Sequence, residues 1–130
     1  NKLQAFQSGK KSILNIKLKC TGSAAVNNLH IAVGIDDEKG NRITHLNSEA
    51  TNESLSIHKE MNSVDIVMDK LALRQGNYAF TLFATVNNEI ADWVQESGSF
   101  DVEIGDFYNT GKLPPDNQGS FYMDHKFIVK

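Results

Sequence analysis

A chain of 130 residues with 40% hydrophobic and 22% charged side chains has the size and composition of one ordinary globular domain. Its formal net charge is −3 and its Lys and Arg residues are scattered, so it lacks the basic stripe that nucleic-acid binding requires. No window approaches the roughly 20 consecutive apolar residues of a membrane span. We therefore expect neither nucleic-acid binding nor direct membrane insertion.

The single cysteine and the N-terminus bear on where the protein works. Cys20 has no second cysteine to pair with, which favours a reducing compartment. The N-terminus does not have the charged-then-apolar plan of a signal peptide. Because the first residue is Asn1, we expect a piece of a longer protein, with residues 1–130 forming one domain in the cytoplasm.

The first half of the chain alternates between apolar and polar residues with a period of two, as half-buried β-strands do. The strands predicted there are 12–20, 29–36, 42–47 and 64–68. Residues 37–41 have the composition of a hairpin turn. The polar segment 48–62 is weakly patterned and fits either a strand or one helical turn.

The second half continues the same alternation. The strands predicted there are 78–86, 89–94, 100–104 and 121–129. Asn87-Asn88 predicts a two-residue hairpin loop, and 96–98 predicts a further turn. The segment from Gly105 to Gly119 holds both prolines, so we expect it to cross the surface as an irregular connection.

About eight to nine short strands with hardly any helical periodicity predict an all-β fold. The favoured architecture is an antiparallel two-sheet β-sandwich of the immunoglobulin-like or jelly-roll type, with a closed barrel as the alternative. Several aromatic residues occupy the inward rows of their strands and are predicted to form the core: Tyr78, Phe80, Phe100, Phe121 and Phe127.

Catalytic signatures are missing from the sequence. It contains no phosphate-binding glycine loop, dinucleotide fingerprint, nucleophile elbow or zinc-protease motif, so we expect no catalysis and no cofactor. Four dispersed histidines predict no metal site: His30, His45, His58 and His125. The acidic run 36–41 superficially resembles a calcium loop, but its carboxylates fall at the wrong offsets. A hydrolase would need carboxylates such as Asp36 and Asp124 to meet within the roughly 5–9.5 Å that glycosidases use.

One exposed sheet face is the candidate binding surface. Small residues in the middle of the outward row of strand 29–36 predict a trough, and the outward row of strand 78–86 would border it if both strands share a sheet. Hydroxyls, an imidazole and an aromatic ring suit the polar edge and apolar face of a sugar. The predicted carbohydrate-binding residues are His30, Ala32, Gly34, Thr81, Phe83, Thr85, Trp93 and Tyr122. An ordinary solvated sheet face is the alternative.

Several segments together carry a family resemblance. They are Gly34-Ile35-Asp36-Asp37, Gln75-Gly76-Asn77-Tyr78-Ala79-Phe80, Asp92-Trp93, Ser99-Phe100-Asp101-Val102-Glu103 and Gly105-Asp106-Phe107-Tyr108-Asn109-Thr110-Gly111-Lys112. In this combination the chain resembles the C-terminal domain of Wzt, the ATP-binding subunit of the ABC transporter that exports O-antigen polysaccharide in Gram-negative bacteria.

The resemblance implies an immunoglobulin-like or jelly-roll sandwich that recognises the capped non-reducing end of a bacterial O-polysaccharide. It also implies a dimer that works with the nucleotide-binding and membrane subunits of the transporter, in the cytoplasm at the inner-membrane face. It transfers no binding residue to this chain. The alternative from another class is a structural or adhesion module that binds protein through a strand edge.

The predicted last strand bears on assembly. It is rich in apolar side chains and follows the long connection, namely Phe121, Met123, Phe127, Ile128 and Val129. Such a connection can reach outward before the strand docks on a neighbouring subunit. We expect a homodimer and leave open whether this strand is exchanged.

Overall fold

The structure, a computed structural model, describes residues 5–19, 26–57, 61–86 and 89–130. Within them it forms eight strands: β1 (Phe6–Gln7), β2 (Ser12–Lys19), β3 (Val26–Asp36), β4 (Arg42–Asn47), β5 (Leu55–Ile57), β6 (Met61–Met68), β7 (Gly76–Val86) and β8 (Glu89–Glu103). No helix among these residues has the length and apolarity that a membrane span requires. Cys20, His58 and Asn87-Asn88 lie outside the described part.

The strands form two sheets. The larger sheet has the order β1-β8-β7-β3-β4, with β5 pairing with the N-terminal part of β3, and the smaller sheet consists of β2 and β6. Every described pairing is antiparallel except the short parallel pair β1–β8. Buried side chains from both sheets belong to one hydrophobic cluster. The predicted two-sheet β-sandwich is confirmed.

The core follows from the alternation within the strands. Leu29, Ile31, Val33 and Ile35 of β3 are buried, and Leu14, Ile16 and Leu18 of β2 complete the cluster from the other sheet. An aromatic group centres on Phe100, whose ring centroid lies 5.3 Å from Phe6, 5.7 Å from Tyr78 and 6.4 Å from Phe80. The core assignment of Tyr78, Phe80 and Phe100 is confirmed.

The N-terminal strand β1, which the alternation did not predict, is held by close backbone contact. The Ser8 amide donates to the Glu103 carbonyl at 3.0 Å, and the buried Ser8 hydroxyl donates to the Leu73 carbonyl at 2.5 Å. Gly105 lies directly against this segment, and a Cβ atom there would overlap the carbonyl oxygen of Ser8. Only a residue without a side chain fits this crossing.

Replacing Gly105 with Ala should therefore lower the free energy of unfolding by about 1–3 kcal/mol, the usual cost of overpacking. Denaturant unfolding measures this loss. Gly40→Ala is the matched comparison, because a Cβ there meets no atom within 4 Å and its strain comes only from a φ of +83°. A Gly105→Ala protein as stable as the parent would contradict the contact.

Strand β8 corrects one prediction. It runs unbroken from Glu89 to Glu103, so the turn predicted at 96–98 is wrong. Ser97 and Gly98 instead pair with Thr81 and Phe80 of β7. The glycine and serine have the composition of a turn, but a continuous partner strand keeps them extended. The pairing becomes irregular further along, between Phe83 and Thr85 of β7.

The C-terminal segment corrects a second prediction. The strand predicted over 121–129 does not form, because Phe121 makes only an isolated bridge to Leu73 and residues 122–130 have no regular structure. The assignment of Phe121 and Phe127 to the core is also wrong, since they are 51% and 91% exposed. A period-two pattern buries side chains only where a neighbouring strand or sheet receives them, and no described strand pairs with this segment.

Candidate functional site

The pairing of β3 with β7 brings the two predicted rows together. The directly opposed residues are His30 with Thr85, Ala32 with Phe83, and Gly34 with Thr81. The residues that alternate with them on both strands are buried, so these six lie on the face of the larger sheet that points away from the core. The condition that the two rows share one sheet is met. Their binding role stays a prediction.

Strand β4 extends this outer face with side chains that the sequence reasoning missed. His45 lies opposite Gly34, and Asn47 lies opposite Ala32. At the end of the row, His30 Nδ1 is 3.5 Å from the Ser48 hydroxyl, which accepts a 2.9 Å hydrogen bond from the Ile31 amide. The face therefore carries two imidazoles, an amide and hydroxyls beside one phenyl ring, that of Phe83.

Arg42 changes the predicted trough. A Cβ at Gly34 would overlap the Arg42 guanidinium, so this side chain covers the small residue that was expected to leave open space. Its Nε donates to Asp36 Oδ1 at 2.5 Å, within a pair of directly opposed residues. The prediction of an empty trough at Gly34 is wrong, because the Arg42 guanidinium occupies the space beside this glycine, which has no side chain of its own. In the sequence, an acidic residue before the turn and a basic residue just after it, Asp36 and Arg42, are the signal that could have identified Arg42 as part of this face.

The aromatic residues assigned to this face have different locations. Phe83 is half-buried on the outer face, between Thr81 and Thr85. Trp93 belongs by its backbone to β8, between the registered pairs Phe83–Gln95 and Thr85–Ile90, and its side chain lies outside the described part. Phe83 is thus the ring that the described structure assigns to this surface.

Tyr122 does not flank the face as predicted. It is 5% exposed and stacks on the buried Phe107, with ring centroids 5.1 Å apart. The Arg74 guanidinium lies 5.2 Å from the Tyr122 ring, and Lys70 Nζ lies 4.0 Å from the Phe107 ring. Tyr122 belongs to a packed aromatic cluster under the C-terminal segment. Residues in irregular segments have no period that reveals such burial.

The acidic segment after β3 is a turn, as predicted. Asp37 Oδ1 accepts hydrogen bonds from the backbone amides of Asn41 at 2.8 Å and Lys39 at 2.9 Å. These bonds, led by that from Asn41, hold the pKa of Asp37 below its ordinary value of 3.8. Among the described residues, no group of three or more His, Cys, Asp or Glu could hold a metal ion. Asp36 and Asp124 have separate partners, Arg42 and Lys70.

A groove opens along one side of the sandwich, between β4 of the larger sheet and β6 of the smaller. It consists of two cavities of about 400 and 290 Å³ that share Leu46 and Met68. Val64 and Ile66 of β6 line the first cavity, and Phe121 lines the second. We call this the β4–β6 groove. It gives access to the apolar space between the sheets.

Comparison with known proteins decides the family. The family model described as the Wzt C-terminal domain matches residues 1–114. The chain belongs to the Wzt C-terminal domain family. A crystal structure of the C-terminal domain of Wzt has a TM-score of 0.70 and 11% sequence identity, over 97% of this chain and 74% of that one. No curated protein matches the chain.

A second solved structure shares the fold more loosely. It is a family 123 glycoside hydrolase from Clostridium perfringens, known for the hydrolysis of glycolipid glycans, with a TM-score of 0.53 and 17% identity over 80% of this chain and 23% of that protein. At such identities both likenesses show the fold alone. The resemblance to the Wzt C-terminal domain is confirmed, and the chain has the β-sandwich fold expected of this family.

Proposed function

We propose that this domain binds the capped non-reducing terminus of an O-antigen polysaccharide and catalyses no reaction on it. The observation that carries the proposal is the outer face of β3, β7 and β4 in a domain of the Wzt C-terminal family. There a half-buried ring, Phe83, lies among hydroxyl, imidazole and amide side chains. Sugar sites combine an aromatic surface with a few oriented polar groups in this way.

The open shape of the face supports a glycan end as the ligand. A sheet surface lets a terminal sugar bind while the remaining polysaccharide extends into solvent. Within the transporter, the domain would work beside the nucleotide-binding and membrane subunits at the cytoplasmic side of the inner membrane. Recognition of a finished chain end there would couple completion of the polysaccharide to its export.

An array of purified bacterial O-polysaccharides tests this function. The parent domain should bind at least one of them. Reducing sugar should not accumulate when that polysaccharide is incubated with the domain. Absence of binding to every polysaccharide would contradict the proposal. Release of reducing sugar would instead favour a hydrolase.

We also propose that the domain is a homodimer in which the C-terminal segment of one copy contacts the other. Phe127, Ile128 and Val129 are 91%, 72% and 98% exposed, which is unusual for consecutive apolar residues. Phe121, earlier in the same segment, lines the β4–β6 groove. A segment that pairs with none of the described strands of its own copy can complete the sheet of a second copy.

The dimer is tested by replacing Phe127, Ile128 and Val129 together with Ser. Light scattering should give a dimer for the parent and a monomer for the variant, whose core is untouched. The matched control replaces Ile13 and Val67, an exposed apolar pair on the outer side of the smaller sheet, with Ser and should stay dimeric. A monomeric parent, or a dimeric triple variant, would contradict the assignment.

A further inference from the structure

The most informative polar arrangement on the outer face is the ion pair between Arg42 and Asp36. The two residues are directly opposed on β4 and β3, and one hydrogen bond from Arg42 Nε to Asp36 Oδ1 joins them. The guanidinium then extends over Gly34, next to the Gly34–Thr81 pair. Its position depends on Gly34, because any Cβ there would push it away from the sheet.

The pair keeps hydrogen-bonding capacity available to a ligand. Side chains of Arg42 and Asp36 are 47% and 26% exposed. Among the described residues, the side chains of this pair make one hydrogen bond, between Nε and Oδ1. The two Nη groups remain as donors, and the second carboxylate oxygen remains as an acceptor. Donors and an acceptor therefore lie side by side. The guanidinium lies over Gly34, whose β7 partner Thr81 is one same-face repeat, about 7 Å, from Phe83, whereas Asp36 lies opposite Ala79, two such repeats from Phe83.

The charges of the pair compensate each other. A phosphate or carboxylate that approached the guanidinium would also approach the Asp36 carboxylate, and like charges at such short range repel. Neighbouring sugar hydroxyls meet no such conflict, since one can accept from Arg42 while another donates to Asp36. The arrangement thus favours an uncharged polyol over an anion.

We infer that the Arg42–Asp36 pair is a specificity determinant that selects an uncharged glycan end and disfavours one that carries a phosphate or carboxylate. This inference rests on the proposed function. Arg42 supplies donors to one hydroxyl of the terminal sugar, Asp36 accepts from its neighbour, and Phe83 packs on the apolar face of the adjoining sugar.

The test compares variants on O-polysaccharides whose non-reducing ends are either uncharged or carry a phosphate or carboxylate. The parent should bind an uncharged end best. Arg42→Gln and Arg42→Lys should each lose about tenfold or more in affinity, as expected when a charged, forked hydrogen-bond donor is removed. Asp36→Asn should lose affinity for the uncharged end and gain it for the anionic end. Lys112→Gln, in an exposed loop, is the charge-matched control and should bind as the parent does.

Exposed ion pairs contribute little to folding, so these variants should keep the parent's thermal midpoint. Gly34→Ala is a second way to test the contribution of Arg42, since it displaces the guanidinium without removing the charge. The inference is overturned if the parent prefers an anionic end, if Arg42→Gln binds an uncharged end as tightly as the parent, or if Asp36→Asn leaves the preference unchanged. A parent that binds no polysaccharide overturns the proposed function itself.

Discussion

Replacing Phe100 with Ala should lower the free energy of unfolding by roughly 3–5 kcal/mol, the range for removing a fully buried aromatic ring. Phe100 is 2% exposed and contacts the rings of Phe6, Tyr78 and Phe80. The cavity left behind would lie beneath the β1–β8 side of the larger sheet, so collapse around it is restricted. Denaturant unfolding followed by fluorescence or circular dichroism measures the loss.

Phe83→Ala is the matched control for that experiment. It makes the same chemical change on the same sheet, but at a half-buried position on the outer face. It should cost clearly less stability than Phe100→Ala because part of the ring is already in water. Equal losses for the two variants would contradict the assignment of inner and outer faces.

Gly34→Trp should abolish polysaccharide binding while leaving the domain folded. An indole at this position must displace the Arg42 guanidinium, whose atoms already occupy the space next to Gly34. It would then cover the face between His45 and Thr81, the residues opposite Gly34 on the two neighbouring strands. The loss is measured by calorimetric titration with a polysaccharide that the parent binds.

Two further variants help to interpret the binding result for Gly34→Trp. Ser99→Trp places the same indole on β8, opposite Ala79 on the same outer face, and should bind as the parent does. Phe83→Ala should weaken binding by roughly 1–3 kcal/mol, as at aromatic stacking platforms. If folded Gly34→Trp and Phe83→Ala proteins bind like the parent, the site lies on the opposite sheet or in the loop 106–118.

Local alternation predicted the strands that have a continuous partner on at least one side. Strand β4 has the predicted bounds of 42–47, and β3 and β7 differ from the predictions only at their ends. Their inward rows also identified the buried Tyr78, Phe80 and Phe100. In these strands one face is exposed to solvent and the other packs in the core, so the alternation of polar and apolar residues indicates directly which side chains are buried.

The failures have the opposite cause, since each depends on contacts with residues outside the predicted element itself. Ser97 and Gly98 have the composition of a turn, and pairing with β7 keeps them in a strand. The segment 121–129 alternates, but no described strand receives it. Tyr122 is buried by Phe107 from an irregular segment. At the site, alternation predicted that Gly34 would be bare, because it takes no account of the Arg42 side chain that reaches across the hairpin.

The central claim is that the outer face of β3, β7 and β4 binds the end of an O-polysaccharide. Its most direct test is an NMR titration of the isotopically labelled domain with a polysaccharide retained on the array. We predict amide shifts concentrated at Ala32, Gly34, His45, Thr81 and Phe83, with β2 and β6 unchanged. Shifts confined to the smaller sheet or to the loop 106–118, or no shifts at all, would contradict the account.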